Sequence, residues 1–436
     1  MRRSGSARPN VFVIGLDDAH RADLESIPRP ERYRFHALLE TDEVVGRQEC
    51  DVEALLDRAR EVLAGFEGSV DAILAHWDFP VSVMAPILCA EHGLPSPSLE
   101  SVLRCQHKYW SRVEQRAVVP EATPDFCAVD PFADRPIEQL RLDFPFWIKP
   151  VIGYGSVLGF RVEDREDFDH AIEEARARIH RLGEPFDQVL RRVERPPEVR
   201  DVGGCHLIAE GLVQGREIAP EGHVHRGRFA AHGLIDMVRD DRGESFERYE
   251  YPAQVEEAVA RRVFEASEKV LGRIGFDDGC FNIEFFFDED RDRLWMVEIN
   301  PRISQSHSKL FEKVDGASNH EVAVHVALGE PPRFEHGRGP FRHAAKFLHR
   351  RRGKEDAEVV SVPDEEDLAA LRERQPGTWV HVLVEPGMRL SELTDQDAYS
   401  YVLAELAIGA DSRQELEEKY REAVDLLPFE LEPCEP

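Results

Sequence analysis

At 436 residues the chain exceeds what one hydrophobic core serves, so two to four domains are expected. A formal net charge of -30 opposes a nucleic-acid or anionic-membrane surface, because phosphate backbones are held by clustered Lys and Arg, and it leaves small molecules as the expected partners. No stretch approaches the roughly 18 to 20 uninterrupted apolar residues of a membrane span, so neither a membrane nor a nucleic acid is an expected partner.

The N-terminus MRRSGSARPNVFVIG carries two arginines and a polar run before a short strand, which is not the longer apolar stretch of a signal peptide, and a cytoplasmic protein is expected. The seven cysteines (Cys50, Cys89, Cys105, Cys127, Cys205, Cys280 and Cys434) lie far apart without a CxxC pair, so buried free thiols are expected rather than a disulfide framework or a zinc site. Arginine outnumbers lysine 47 to 8 and no lysine precedes Lys108, which makes each lysine at a motif position informative.

In chain order, VFVIGLD (residues 11–17) is a short strand, and DVEALLDRAREVLAGF has helical spacing of apolar residues. VDAILAHWDFPVSVMAPILCAEHGLPSPS reads as a second strand, a turn at residues 77–80, a helix and a loop. Residues 1–102 are therefore expected to form a small parallel α/β domain. One charged helix is expected over SVLRCQHKYWSRVEQRA. DFPFWIKPV and GYGSVLGFRV then make a hairpin around Gly153, Gly155 and Gly159, not the strand-to-helix context of a P-loop. A helix over DREDFDHAIEEARARIHRL follows, and residues 184–204, rich in Arg, Glu and Pro, read as a surface insertion. HLIAEGLVQGREI and HVHRGRFAAHGLIDMV are consecutive strands. A long amphipathic helix begins in PAQVEEAVARR and ends at a glycine, and CFNIEFFFDEDRDRLWMVEINPR is a second hairpin. Strand-like WVHVLVEP and YSYVLAELAIG, with the closing helix SRQELEEKYREAVDLL, predict a C-terminal α+β lobe over residues 332–436.

The acidic turn DEDRD joins a strand carrying Glu284 to one carrying Glu298 and Asn300. Paired strands lie about 5 Å apart, so inward carboxylates on neighbours can share a hard cation. Period-two alternation puts Glu298 and Asn300 on one face. Two carboxylates and an amide oxygen form a candidate Mg2+ site with positions left for phosphate and water, and Arg302 continues that face as a group to offset phosphoryl charge. Lys149 closes FPFWIKP before the glycine turn, where an ammonium can hold phosphates while backbone N–H groups of residues 154–157 cover them. A surface lysine beside a hairpin would look the same. In IAEGLVQGREI the backbone of Glu210, Gly211 and Leu212 can read an adenine edge, and an acidic side chain, Glu210 or Glu217, can bind ribose hydroxyls.

Taken in order, Lys108 in QHKYW, Lys149 in WIKPV, the loop GYGSVLG, the hinge AEGLVQGREI and the pair IEFFF and VEINPR resemble the ATP-grasp superfamily over roughly residues 103–331. EINPR after an upstream strand Glu is the specific part. The resemblance implies an α/β and α+β multidomain fold: a parallel α/β pre-ATP-grasp domain, a two-lobed ATP-grasp domain at 103–331 with a mobile lid at about 145–212, and the C-terminal lobe. It implies ATP between the lobes, with Lys108, Lys149, Gly153, Tyr154, Gly155 and Ser156 at the phosphates, the hinge on adenine, and Mg2+, or Mn2+ in its place, on Glu284, Glu298 and Asn300. AYSYVLAELAIGADSRQELEEKYREAVDLL is similar to the C-terminal segment of biotin carboxylase-like and L-amino acid ligase-like members.

The expected activity is thus an ATP-dependent carboxylate–amine ligase. It would form a dipeptide-like amide through an acyl phosphate, with Lys149 and Arg302 as catalytic cations and ADP and phosphate released. A homodimer is implied by resemblance alone. The glycine loop has fewer glycines than many relatives, and SQSHSKLFEKVDG replaces a glycine-rich turn, which leaves the substrate open. Carboxylation through carboxyphosphate is one alternative, although no biotin-attachment sequence such as MKM occurs. A nucleotide-binding regulatory subunit is another. His307, with Ser304 and Ser306, reads as a contact to a substrate carboxylate or phosphate and equally as a helix cap. His223, His225 and His232 lack a carboxylate partner set, so metal binding is disfavoured. Trp77 and Asp78 end a strand where α/β sheets place ligands, with packing the favoured reading.

Overall fold

The structure, a computed structural model, describes residues 8–45, 50–153, 157–240, 242–243, 245–393 and 399–434. Strands β1 (Asn10–Ile14), β2 (Arg34–Ala37) and β3 (Ala72–Ala75) form a parallel sheet in the order β2-β1-β3. Helices α1 (Asp18–Glu25), α2 (Thr41–Val44), α3 (Val52–Ala64) and α4 (Val81–His92) complete the expected α/β domain. β1 is buried along its whole length, as a parallel strand covered on both faces must be. Phe12 and Ile14 pack on Leu56, Met84 and Leu88. Val11, Val13 and Leu74 pack on Val322, Val324 and Val326 from far along the chain, so the second face of this sheet is closed by another domain.

The single helix expected after residue 100 is two, α5 (Leu99–Gln106) and α6 (Lys108–Val118). They break at buried His107, whose ψ of 95° is extended and whose Nε2 meets the Val202 carbonyl at 3.1 Å. The break lets the Lys108 N–H donate to Val151 O (2.8 Å), which anchors the start of α6 to the next sheet.

That sheet is antiparallel. It contains β4 (Phe126–Val129), β5 (Phe146–Pro150), β6 (Phe160–Val162) and, after α7 (Arg165–Arg178) and α8 (His180–Leu190), β7 (Leu207–Gly211), in the order β4-β7-β5-β6. The β5–β6 hairpin forms as expected, with Phe146 opposite Val162. Residues 184–204 are not a surface insertion. Phe186, Val189, Leu190 and Val199 are buried in the core of the first domain, while Arg191, Arg192 and Glu194 face out; the charged residues had hidden the apolar side.

The largest sheet joins β8 (Arg216–His225), β9 (Arg228–Arg239) and β10 (Phe246–Tyr251) to β11 (Gly279–Asp288) and β12 (Arg293–Asn300), with α9 (Glu257–Ile274) intervening. After α10 (Gln305–Asp315) and α11 (Asn319–Ala327) come β13 (His343–Arg352), β14 (Ala357–Ser361), α12 (Glu365–Arg374), β15 (Trp379–Val382), β16 (Ser400–Ala410), α13 (Arg413–Leu426) and β17 (Glu430–Pro433). Its order is β12-β11-β8-β9-β10-β13-β16-β15, so the sheet runs across the boundary expected at residue 331. α9 buries Val263, Val270 and Ile274 against Ile218, Phe281 and Phe285 on one face. α10 buries Leu310 and Phe311 against Ala219, Ile235 and Tyr251 on the other, and α11 carries the chain back onto the first sheet. Described cysteines are free, and no described helix is long and apolar enough to cross a membrane.

β8 shifts register against β9 between Glu221 and Gly222, where a Cβ on Gly222 would lie 2.2 Å from Ala230 O and 2.7 Å from the Phe281 ring. Overpacking of that kind costs about 1–3 kcal/mol. Gly222→Ala is therefore expected to lower the thermal unfolding midpoint, and an unchanged midpoint would show that the strands separate there without cost.

Candidate active site

On the β11–β12 pair Glu284 stands directly opposite Glu298, and Asn282 opposite Asn300. Antiparallel partners share a face, so both carboxylates and the Asn300 amide project to one side. Asn300 Nδ2 approaches Glu284 Oε1 at 3.4 Å. Lys108 Nζ lies 2.9 Å from Glu298 Oε1 and donates to Gly153 O at 2.7 Å. Burial, then the neighbouring charges of Glu298 and Glu217, push the Glu284 carboxyl up to about 8 against the pull of Lys149 and Arg302. Like charges directly opposed are unfavourable, and a divalent cation would relieve them. The oxygen donor set Glu284, Glu298 and Asn300 therefore fits Mg2+.

In the four-stranded antiparallel sheet, Lys149 on β5 and Glu210 on β7 share a face, because Trp147 is the residue opposite Glu210 and Lys149 lies two further on. Lys149 Nζ sits 2.9 Å from Glu210 Oε2, and Arg112 Nε of α6 donates to Oε1. Burial raises the Glu210 carboxyl, but Arg112 and Lys149 outweigh it and bring it down to about 2. Arg112 Nη2 also donates to Val297 O of β12 at 2.9 Å, so one guanidinium ties β7 to β12.

The hinge differs from expectation in detail. The Glu210 carboxylate is taken up by Arg112 and Lys149, and the Gly211 N–H donates to Asp125 O at 2.8 Å. Leu212 is the exposed residue of the three. Glu217 is buried with its Oε2 3.0 Å from Arg239 Nε, so in this state it is not open to ribose hydroxyls; burial raises its carboxyl against Arg239. Tyr154, Gly155 and Ser156 lie outside the described residues.

Arg302 leaves β12 and forms a two-pronged pair with Asp78, Nε to Oδ1 at 2.7 Å and Nη2 to Oδ2 at 2.6 Å. The packing role favoured for Asp78 is thus corrected: it sits just past β3 of the first domain and orients the candidate catalytic arginine. Trp77, beside it, donates from Nε1 to Gly15 O at 2.9 Å. Lys309 Nζ reaches Asp23 Oδ1 at 2.7 Å, a second cation–carboxylate tie across the same boundary.

His307 does not cap α10, whose N-cap is Ser304 with no side-chain cap bond. Its Nδ1 lies 2.7 Å from Glu221 Oε2. His223 Nδ1 meets His232 Nε2 at 2.9 Å and His225 Nδ1 meets Asp278 Oδ1 at 2.8 Å. Among the described residues no three His, Cys, Asp or Glu side chains are grouped to hold a metal. Sequence reasoning missed Arg112, Glu221 and Tyr249, whose hydroxyl is pushed up by burial and by Glu217 and Glu284. Arg112 had a usable signal, since it lies one helical turn after Lys108 on the same face.

Residues 142–309 match the family model described as an ATP-grasp domain. The chain is 28% identical over 194 residues to the carbamoyl phosphate synthase large chain of Xylella fastidiosa (strain Temecula1), covering 44% of this chain and 16% of that one. It is 26% identical over 181 residues to the D-alanine–D-alanine ligase of Synechococcus sp. (strain CC9605), covering 41% and 46%. The chain thus spans less than half the length of these curated relatives. Among solved structures, an L-amino acid ligase from Bacillus licheniformis superposes with a TM-score of 0.72 at 20% identity, covering 98% of this chain and 99% of that one. A biotin carboxylase from Campylobacter jejuni superposes with a TM-score of 0.63 at 15% identity, covering 97% and 92%. These likenesses concern the fold. Residues 142–309 thus carry the likeness to an ATP-grasp domain.

Because the folded Glu284 carboxyl holds its proton up to about 8 while the unfolded one releases it near 4.5, the folded state binds more protons in that window. Stability of the cation-free protein is then expected to fall as pH rises from 4.5 to 8 through this group. Glu284→Gln should raise the thermal midpoint relative to the parent at pH 8.5 and not at pH 4.5. An equal effect at both values would contradict the raised carboxyl.

Proposed function

We propose that the protein is an ATP-dependent carboxylate–amine ligase that releases ADP and phosphate. The observation that carries this is the facing pair Glu284 and Glu298, with Asn300 on the same face and Lys108, Lys149 and Arg302 converging from three elements. Phosphoryl transfer is catalysed mainly by positioning and charge, and three cations around two hard-cation carboxylates supply both. Glu284, Glu298 and Asn300 would hold Mg2+, which would supply positive charge to offset that of the phosphates. Lys108 and Lys149 bind phosphates, and Arg302, held by Asp78, faces the charge that develops as a substrate carboxylate oxygen attacks the γ-phosphorus. The product is an acyl phosphate, whose carbonyl an amine then attacks to give the amide. The lid over residues 145–212 excludes water from that intermediate. The likeness to an L-amino acid ligase over nearly the whole chain supports amino acids as the first substrates to try.

The test is phosphate release from Mg-ATP with a panel of amino acids, other carboxylic acids, amines and bicarbonate, with ADP and AMP resolved. Release of ADP and phosphate that requires an acid and an amine is expected. Release driven by bicarbonate alone would favour carboxylation, and AMP with pyrophosphate would refute the acyl phosphate. Glu298→Gln is expected to lower turnover at least about a hundredfold, since even groups one layer behind a metal ligand cost 10–100-fold.

A further inference from the structure

Glu221 belongs to the same sheet face as the candidate metal ligands. Asn300 pairs with Asn282, and Asn282 pairs with Glu221, so the three lie along one row of β12, β11 and β8. Two strand spacings of about 4.8 Å separate the ends of that row. Glu221 is fully buried, and both its oxygens are occupied: Oε2 by His307 Nδ1 at 2.7 Å, Oε1 by Asn319 Nδ2 at 2.7 Å. A carboxylate only accepts, so the proton of a neutral His307 ring sits on Nδ1 and the lone pair on Nε2. Among the described residues no hydrogen bond engages Nε2. The ring lies 5.8 Å from that of Tyr249, the residue whose hydroxyl feels Glu217 and Glu284. Between Glu221 and Asn300, the Asn282 side chain is 5% exposed and its Nδ2 has no partner, the state of a polar group beside a place that a substrate fills.

We infer that His307 is the general base of the amide-forming step, with Glu221 and Asn319 as its positioning residues. The inference rests on the ligase reading above. As the amine nitrogen attacks the acyl carbon, the carbonyl π pair moves onto oxygen. The nitrogen then gives one proton to His307 Nε2, and collapse of the tetrahedral species breaks the carbon–oxygen bond to the leaving phosphate. The imidazolium returns its proton to solvent. Glu221 stabilises that imidazolium and fixes the tautomer, as a buried carboxylate does in other carboxylate–imidazole pairs.

Hydroxylamine separates this role from a structural one, because it is largely unprotonated at neutral pH and traps acyl phosphates as hydroxamates without a base. His307→Asn retains a donor for Glu221. With the amino-acid panel and Mg-ATP, it should form hydroxamate at close to the parental rate and form amide about a hundredfold or more slowly, the usual contribution of general base catalysis. Glu221→Gln should show the same split, and serves if the first variant does not fold. Equal loss of both products, or loss of neither, overturns the assignment. If the parent protein forms no hydroxamate with any acid, the acyl-phosphate reading itself fails and the base role fails with it; a parent that forms hydroxamate with a variant lacking the split refutes the base alone.

Discussion

Two carboxylates held face to face on neighbouring strands are costly unless something positive stands over them, and much of this molecule can be understood as the arrangement of what does. Glu284 and Glu298 are fixed by the pairing of β11 with β12 and cannot move apart without breaking the ladder. The positive charge around them comes from three separate bodies. Lys108 enters from the break between α5 and α6, Lys149 from β5 of the four-stranded sheet, and Arg302 from the chain leaving β12. The first domain takes part as well, through Asp78 on Arg302.

Lys108 is paired with Glu298 itself, and the other two cations are paired with anions outside the facing carboxylates. Lys149 rests on Glu210, and Arg302 on Asp78. The pairings differ in consequence. Asp78 grips Arg302 with both oxygens, and that two-pronged geometry fixes the plane of the guanidinium. Glu210 is held by Arg112 as well as by Lys149, so loss of the lysine as a partner would not strand a buried carboxylate.

Much of the site was legible in the sequence because its residues sit on period-two strands and the chain holds few lysines. Glu284, Glu298 and Asn300 fall together for that reason, and Lys149 lands where the strand before the glycine turn put it, whereas Arg302 lies past the end of β12. What was not legible depends on contacts between distant elements. Asp78 looked like packing because its partner lies 224 residues away. Glu221 and Asn319, 98 residues apart, meet only once β8 and α11 are in place. The charged stretch at 184–204 hid a buried helix face because composition averaged over both of its sides, and the split of α5 from α6 turned on His107 finding a carbonyl in a loop far ahead of it. Domain boundaries were the weakest point, since sheet membership is a property of pairing that no local pattern reports.

The eight-stranded sheet draws out a practical consequence. β10 hydrogen-bonds to β9 on one side and to β13 on the other, with Arg413 of the last helix bonded to Glu250 on β10. A fragment cut at residue 331 would leave β10 with a row of unmet N–H and C=O groups along a newly opened margin, the geometry that recruits strands from other molecules. The unit expected over residues 103–331 is therefore not a portable part: its last interior strand is completed by residues that belong, in linear order, to the tail.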